Sequence, residues 1–169
     1  MEINLMNLGT GEGAWLPLPV NDETEINDFI QEHRISTPID EEYIIADFNF
    51  DDELNLRIGE FEDIYLLNEL INQYENLSKY GKNTVLALLE THGNEISDFE
   101  NALSTYEDFT LIENIDNDYD LGEYLAEDEL CCLRKQVSSR LLDYIDYKSY
   151  GHDAIYNGDV ILTSYGALF

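Results

Sequence analysis

Positive charge is what this sequence has least of. Only 8 of its 169 residues are Lys or Arg, against 37 Asp and Glu, for a formal net charge of −29. Nucleic acid, itself a polyanion, would repel such a chain, which argues against ordinary DNA or RNA binding. Cysteine is nearly missing. Cys131 and Cys132 are adjacent, so there is no disulfide framework and no CxxC pair. They read as two reduced cysteines in a cytosolic protein. The three histidines, His33, His92 and His152, are scattered, without HExxH or the Cys/His spacing of a zinc site. No apolar run approaches the ~18 residues of a membrane span. The start, Met1-Glu2-Ile3-Asn4, lacks the basic and apolar regions of a signal peptide. The expected location is cytoplasmic, with no membrane partner. There is no GxSxG and no P-loop. With no catalytic constellation, neither an enzyme nor a cofactor nor a metal is expected.

Aromatic residues, by contrast, are plentiful, with 12 Tyr, 7 Phe and 1 Trp in a composition that is 44% hydrophobic. Disordered acidic tails are poor in such residues. This chain therefore folds and wears its charge outside. Ile3 to Leu8 alternates as a strand does, glycines 9, 11 and 13 mark a turn, and Ala14 to Leu18 reads as a second strand. Asn21 or Asp22 caps a helix through about Arg34, with Ile26, Phe29, Ile30 and His33 on one face. Tyr43 to Phe50 is a third strand. After Gly59 the period becomes helical: Ile64, Leu67, Leu70, Ile71, Tyr74 and Leu77. Asn83 is expected to cap a helix that Gly93 ends, and Ser97-Asp98-Phe99-Glu100 to open another as a capping box.

The final third is mixed again. Phe109 to Ile115 reads as a strand, and Asp118 as the cap of a helix carrying Leu121, Tyr124 and Leu125. A further helix carries Val137, Leu141, Leu142 and Ile145. Asn157-Gly158, between Ala154-Ile155-Tyr156 and Val160-Ile161-Leu162, predicts a type I′ hairpin. The fold class expected is α+β, an elongated chain of three small modules over residues 1–59, 60–105 and 106–169. Their net charges are −12, −7 and −10, so the charge belongs to the whole body and not to a tail.

Two motifs invite chemistry and fail. Gly9-Thr10-Gly11-Glu12-Gly13-Ala14 fits GxGxxA, but Trp15-Leu16-Pro17-Leu18-Pro19 follows, where a dinucleotide site needs a helix N-terminus. A hairpin turn is expected there. Asp116 to Glu127 resembles a calcium loop, yet position 6 is Leu121 and the glycine comes one late, at Gly122.

The charge itself has three readings. It can mark a halophilic protein, or a generic acidic soluble one. Alternatively it can imitate DNA. B-DNA carries one charge per ~1.7 Å, so 29 charges match roughly 50 Å of duplex. DNA-binding proteins are strongly positive at their interfaces and would bind such a surface.

Three stretches then carry a family likeness. They are Asn7-Leu8-Gly9 with Gly13-Ala14-Trp15 and Pro19; Glu42-Tyr43-Ile44-Ile45-Ala46-Asp47-Phe48 continuing to Ile58-Gly59-Glu60; and Tyr144-Ile145-Asp146-Tyr147-Lys148-Ser149-Tyr150-Gly151-His152-Asp153. The chain resembles the ArdA antirestriction family of conjugative elements and phages. The third stretch is the most specific, similar to YxDYxxYGRD, with His152 where the family usually has Arg. The opening turn is shorter than in many relatives.

The resemblance implies an elongated homodimer joined through residues 106–169, with Leu121, Tyr124 and Leu125 as candidate contacts. It implies a partner too, the methyltransferase core of type I restriction–modification enzymes, whose DNA site the chain would occupy. The expected working surface is a field of carboxylates: Asp47, Asp51, Asp52, Glu53, Glu60, Glu62, Asp63, Glu69, Glu95, Asp98, Glu100, Glu107, Asp108, Asp116, Asp118, Asp120, Glu123, Glu127, Asp128 and Glu129. A mimic aimed at another DNA-binding target, such as a CRISPR effector or a nucleoid protein, is the alternative.

Overall fold

The computed structural model describes residues 1–36, 42–50, 53–130 and 144–169, with the side chains of 128–130 excepted. Asp51, Asp52, Cys131, Cys132 and, of the expected further helix, Val137, Leu141 and Leu142 lie outside the described residues; its Ile145 is described and is not helical. The rest is α+β: six α-helices and two three-stranded antiparallel sheets among the described residues. They form two compact units, Met1–Thr105 and Tyr106–Phe169.

The first unit opens on β1 (Glu2–Asn7), whose Ile3, Leu5 and Asn7 face inward in strict alternation. It pairs with β2 (Gly13–Pro17) on one side and β3 (Tyr43–Asn49) on the other. The GxGxxA segment is the hairpin turn between β1 and β2. Asn7 Oδ1 accepts from the Gly9 and Thr10 N–H groups at 2.9 and 2.8 Å, and Gly11 sits at φ +71°, a conformation side chains resist. Asn7 Nδ2 donates to Ile35 O at 2.9 Å, so this wholly buried amide ties the turn to the segment just after α1 (Glu23–Glu32). Asp22 caps α1 by accepting from the Thr24 and Glu25 N–H groups, and Ile26 and Ile30 are its buried residues. The helix stops two residues short of Arg34, which takes φ +55°. His33 is exposed and stacks on Phe29 instead of joining the core.

Helices α2 (Ile64–Glu75), α3 (Lys79–His92) and α4 (Ile96–Thr105) complete the unit. Leu67, Ile71, Val85 and Phe99 are fully buried, with Tyr74 edge-on to Phe99 at 5.8 Å. Two cap assignments change. Asn83 lies inside α3; Ser78 is the cap, accepting from Gly81 N–H at 3.2 Å. Gly81 has the look of a helix break but is buried in the first turn. At α4 the capping carboxylate is Asp98, which reaches back to Glu95 N–H at 3.1 Å. The backward bond thus runs from Asp98 to Glu95, the residue before the helix, and not between Ser97 and Glu100, because α4 already begins at Ile96. The parts before and after Gly59 are stitched together by Ile45 N–H to Glu60 O, Arg57 N–H to Asn94 O, and Asn68, which bonds both backbone groups of Val20.

In the second unit the expected 109–115 strand shrinks to β4 (Leu111–Ile112), because Asn114 at φ +66° breaks the extended run. Helix α5 (Asp118–Leu130) is capped by Asn117, whose Oδ1 accepts from the Tyr119 and Asp120 N–H groups; Asp118 is its first residue, not its cap. The Asn157-Gly158 hairpin is overturned. Ala154 to Asn157 end helix α6 (Tyr147–Asn157), and Gly158, at φ +80°, returns its N–H to Ala154 O and Ile155 O. A left-handed glycine serves a type I′ turn and a helix C-cap equally well. The real hairpin joins β5 (Ile161–Thr163) to β6 (Gly166–Leu168), and β6 is central in the order β4-β6-β5. Ile115, Leu121, Val160 and Ala167 form the core.

Helices α5 and α6 cross at two glycines. A Cβ on Gly122 would overlap the Tyr147 carbonyl oxygen, and one on Gly151 the Asp118 carbonyl oxygen. The glycine of the Tyr-Gly-His-Asp stretch is therefore a packing requirement. Among the described residues, no helix is long and apolar enough to cross a membrane.

Candidate functional site: an acidic surface

A carboxylate is costly to bury without a partner, so a chain with 37 of them must place them in water. Among the described residues the buried polar side chains are Asn7, Asn68 and Thr84; no Asp or Glu is buried. Of the sequence candidates, Asp47, Glu53, Glu60, Asp63, Glu69, Glu95, Glu100, Glu107, Asp108, Asp116, Glu123 and Glu127 are exposed. Glu62, Asp98, Asp118 and Asp120 are half-buried. Asp128 and Glu129 lie in α5, with side chains outside the description.

Several of these carboxylates also hold local structure. Asp63 caps α2, Asp98 caps α4, and Asp120 accepts from Asn117 Nδ2 at 2.7 Å. Glu107 accepts from the Tyr106 hydroxyl, and that bond raises the phenol's pKa. Tyr43 is also shifted upward, chiefly by burial and then by Tyr65 and Asp63. Glu62, Glu95 and Glu100 line one open groove of about 510 Å³ with Arg57. Asp118, Asp153, Lys148 and His152 line another of about 440 Å³, where His152 Nδ1 stands 3.4 Å from Asp118 Oδ2. Of the dimer candidates, Leu121 is fully enclosed in its own unit, Leu125 packs against the same core, and Tyr124 is exposed and leans on Phe169.

One acidic row escaped the sequence candidates. On α1, Glu25, Asp28 and Glu32 are exposed at i, i+3 and i+7, while Ile26 and Ile30 point inward. That spacing puts all three on one face. Helix α5 repeats the spacing, with half-buried Asp120 and exposed Glu123 and Glu127 on one face and Leu121 and Leu125 on the other. Each row contains no base. The signal was present as acidic residues at helical spacing, the complement of the apolar one.

At the start of α6, Asp146 accepts from the Ser149 N–H at 3.1 Å and from its hydroxyl at 2.8 Å. These bonds hold its carboxyl below the ordinary value of 3.8. A depressed folded-state pKa stabilises the fold above the unfolded value, and the contribution is lost as pH falls through the folded one. Asp146→Asn is expected to flatten the acid limb of thermal stability below about pH 4, the ordinary carboxylate range. Circular dichroism melts at neutral and acid pH check this; an unchanged acid limb would refute the assignment.

Among curated proteins, none matches the sequence. Residues 5–169 match the family described as antirestriction protein (ArdA), which is nearly the whole chain. Acidic throughout, with its described carboxylates at the surface, the chain belongs to the ArdA family of antirestriction proteins.

Proposed function

We propose that this chain is a non-enzymatic DNA mimic, acting in the cytoplasm. It occupies the DNA-binding site of type I restriction–modification enzymes and inhibits them by competing with DNA. Family membership gives the antirestriction role and interaction with restriction–modification enzymes. The observation that carries the mechanism is the surface placement of the described carboxylates, gathered on α1 and α5 into base-free rows. Such rows present to a basic groove what a phosphate strand presents.

The active form in this reading is an elongated homodimer of three-module chains, joined through residues 106–169. Tyr124 is the contact that remains available there, since Leu121 is spent on its own core.

Competition tests this directly. Purified chain is titrated into a type I methyltransferase core bound to labelled DNA, at two salt concentrations. Displacement at low salt that fades at higher salt is expected, because screening weakens exposed charge pairs. No displacement at low salt would refute mimicry.

A further inference from the structure

The outer face of the first unit's sheet differs from the acidic helix faces. Directly opposed residues of antiparallel strands point to the same side. Asn4 of β1 is opposed by Trp15 of β2 and by Asp47 of β3. Its chain neighbours Ile3 and Leu5 are fully buried, so Trp15, Asn4 and Asp47 stand abreast facing out. Their strands are about 4.8 Å apart.

A bulge makes this row. Pairing steps from Asn4–Asp47 to Leu5–Ile45, leaving Ala46 as the extra residue. Strict alternation from inward-facing Ile45 would turn Asp47 toward the core; the extra residue turns it out. In the next outward row Asn49 Nδ2 donates to Glu2 Oε1 at 3.2 Å. The two rows hold two carboxylates and no base, beside an indole that is 42% exposed. Negative charge alone does not call for an exposed indole.

The geometry points to an arginine-receiving site. A guanidinium from the partner enzyme's basic DNA-binding surface stacks on the Trp15 ring, lies over Asn4 and donates to Asp47. Indole is the strongest cation–π ring, and the planar, weakly hydrated guanidinium suits stacking with a carboxylate alongside. Charge complementarity fixes the occupant: the chain is at −29, and DNA-binding surfaces are basic. A phosphate surface would be repelled, and a neutral apolar partner would bury Glu2 and Asp47 without counter-charge. The inference rests on the DNA-mimic reading and adds an anchor to it. This row supplies a single point anchor, while each helix carboxylate contributes a small share of the summed field.

Trp15 is the chain's only tryptophan, so full-length protein grown with fluorotryptophan gives one fluorine resonance from this site. It is titrated with a type I methyltransferase core, then with excess duplex. The resonance shifts on binding and returns on displacement. Trp15→Ala competes about tenfold more weakly, as truncating an aromatic anchor does, and Trp15→Phe stays within about threefold of the parent. Asp47→Asn falls about threefold, the loss of one charge-assisted contact. A resonance that stays still while the chain displaces DNA, with Trp15→Ala as effective as the parent, overturns the anchor and leaves mimicry standing. Failure of the parent to displace DNA overturns both. The fluorine measurement needs no replacement of the ring, so it decides even where Trp15→Ala misfolds.

Discussion

Gly122→Ala and Gly151→Ala each strongly destabilise residues 106–169. The added methyl would meet a backbone carbonyl in both cases, Tyr147 for the first and Asp118 for the second. Backbone cannot rotate away as a side chain can, so α5 and α6 must separate. Their separation opens the core around Leu121, with Leu125 and Ile155 packed against it. Overpacking costs about 1–3 kcal/mol and sometimes more, and contact with main chain belongs at the upper end. A loss of about 3 kcal/mol lowers Tm by roughly 12–24 °C in a unit of this size. Helix propensity alone forecasts the opposite sign, since alanine is favoured over glycine by about 1 kcal/mol in a helix. The sign of the change therefore decides. The double variant is expected to fall short of additivity, because one methyl already parts the helices. Circular dichroism follows both units, and Trp15 emission follows the first alone. The expected result is a lowered melt by circular dichroism with little movement of the Trp15 transition. A raised or unchanged Tm would refute the close crossing.

Much of this fold was legible in the residues, and the failures share a cause. The strands at β1, β2 and β3 and helices α1 and α2 follow from period and caps, because one face of each must be buried. The misreadings all concern which of two structures a local signal serves. Gly158 needs a left-handed conformation, and a hairpin and a helix C-cap supply it equally; α6 decides, through contacts distant in sequence. Asn83 has the chemistry of a cap but lies inside α3, which Ser78 caps instead. Asn114 shortened a strand that hydrophobicity alone would have drawn through to Ile115.

The candidate site was legible as a class of residue and not as a pattern. Net charge identified carboxylates, and the high cost of burying them ensured that the described ones lie at the surface. Net charge says nothing of grouping. Glu25, Asp28 and Glu32 went unselected because they sit on a helix read for its apolar face, and the row appears only when that helix is turned around. The outward aim of Asp47 was not readable at all. It depends on a bulge, which is set by how β3 pairs with β1 and leaves no local mark beyond the small Ala46.

Removing whole rows, by contrast with single residues, is expected to cost the chain most of its hold on a basic groove. Each row spans about 10.5 Å of helix, from a rise of about 1.5 Å per residue, and carries one charge per roughly 5 Å. A DNA strand carries one per ~3.4 Å, so a row reaches about two-thirds of the strand's linear density. An exposed ion pair is worth about 0.5 kcal/mol, so one substitution changes affinity only about twofold. Three in a row lose about 1.5 kcal/mol, roughly tenfold, and both rows together roughly a hundredfold. The variants are Glu25→Gln/Asp28→Asn/Glu32→Gln on α1 and Asp120→Asn/Glu123→Gln/Glu127→Gln on α5. A control triple, Glu12→Gln/Glu42→Gln/Glu90→Gln, removes the same charge from exposed positions on neither row. Competition against DNA at fixed salt ranks them. If arrangement matters, each row triple falls well below the control. If the control falls as far, the summed charge governs binding and the rows are incidental. The salt dependence separates the cases further, since loss of a contacting row flattens it, whereas loss of distant charge leaves its slope in place.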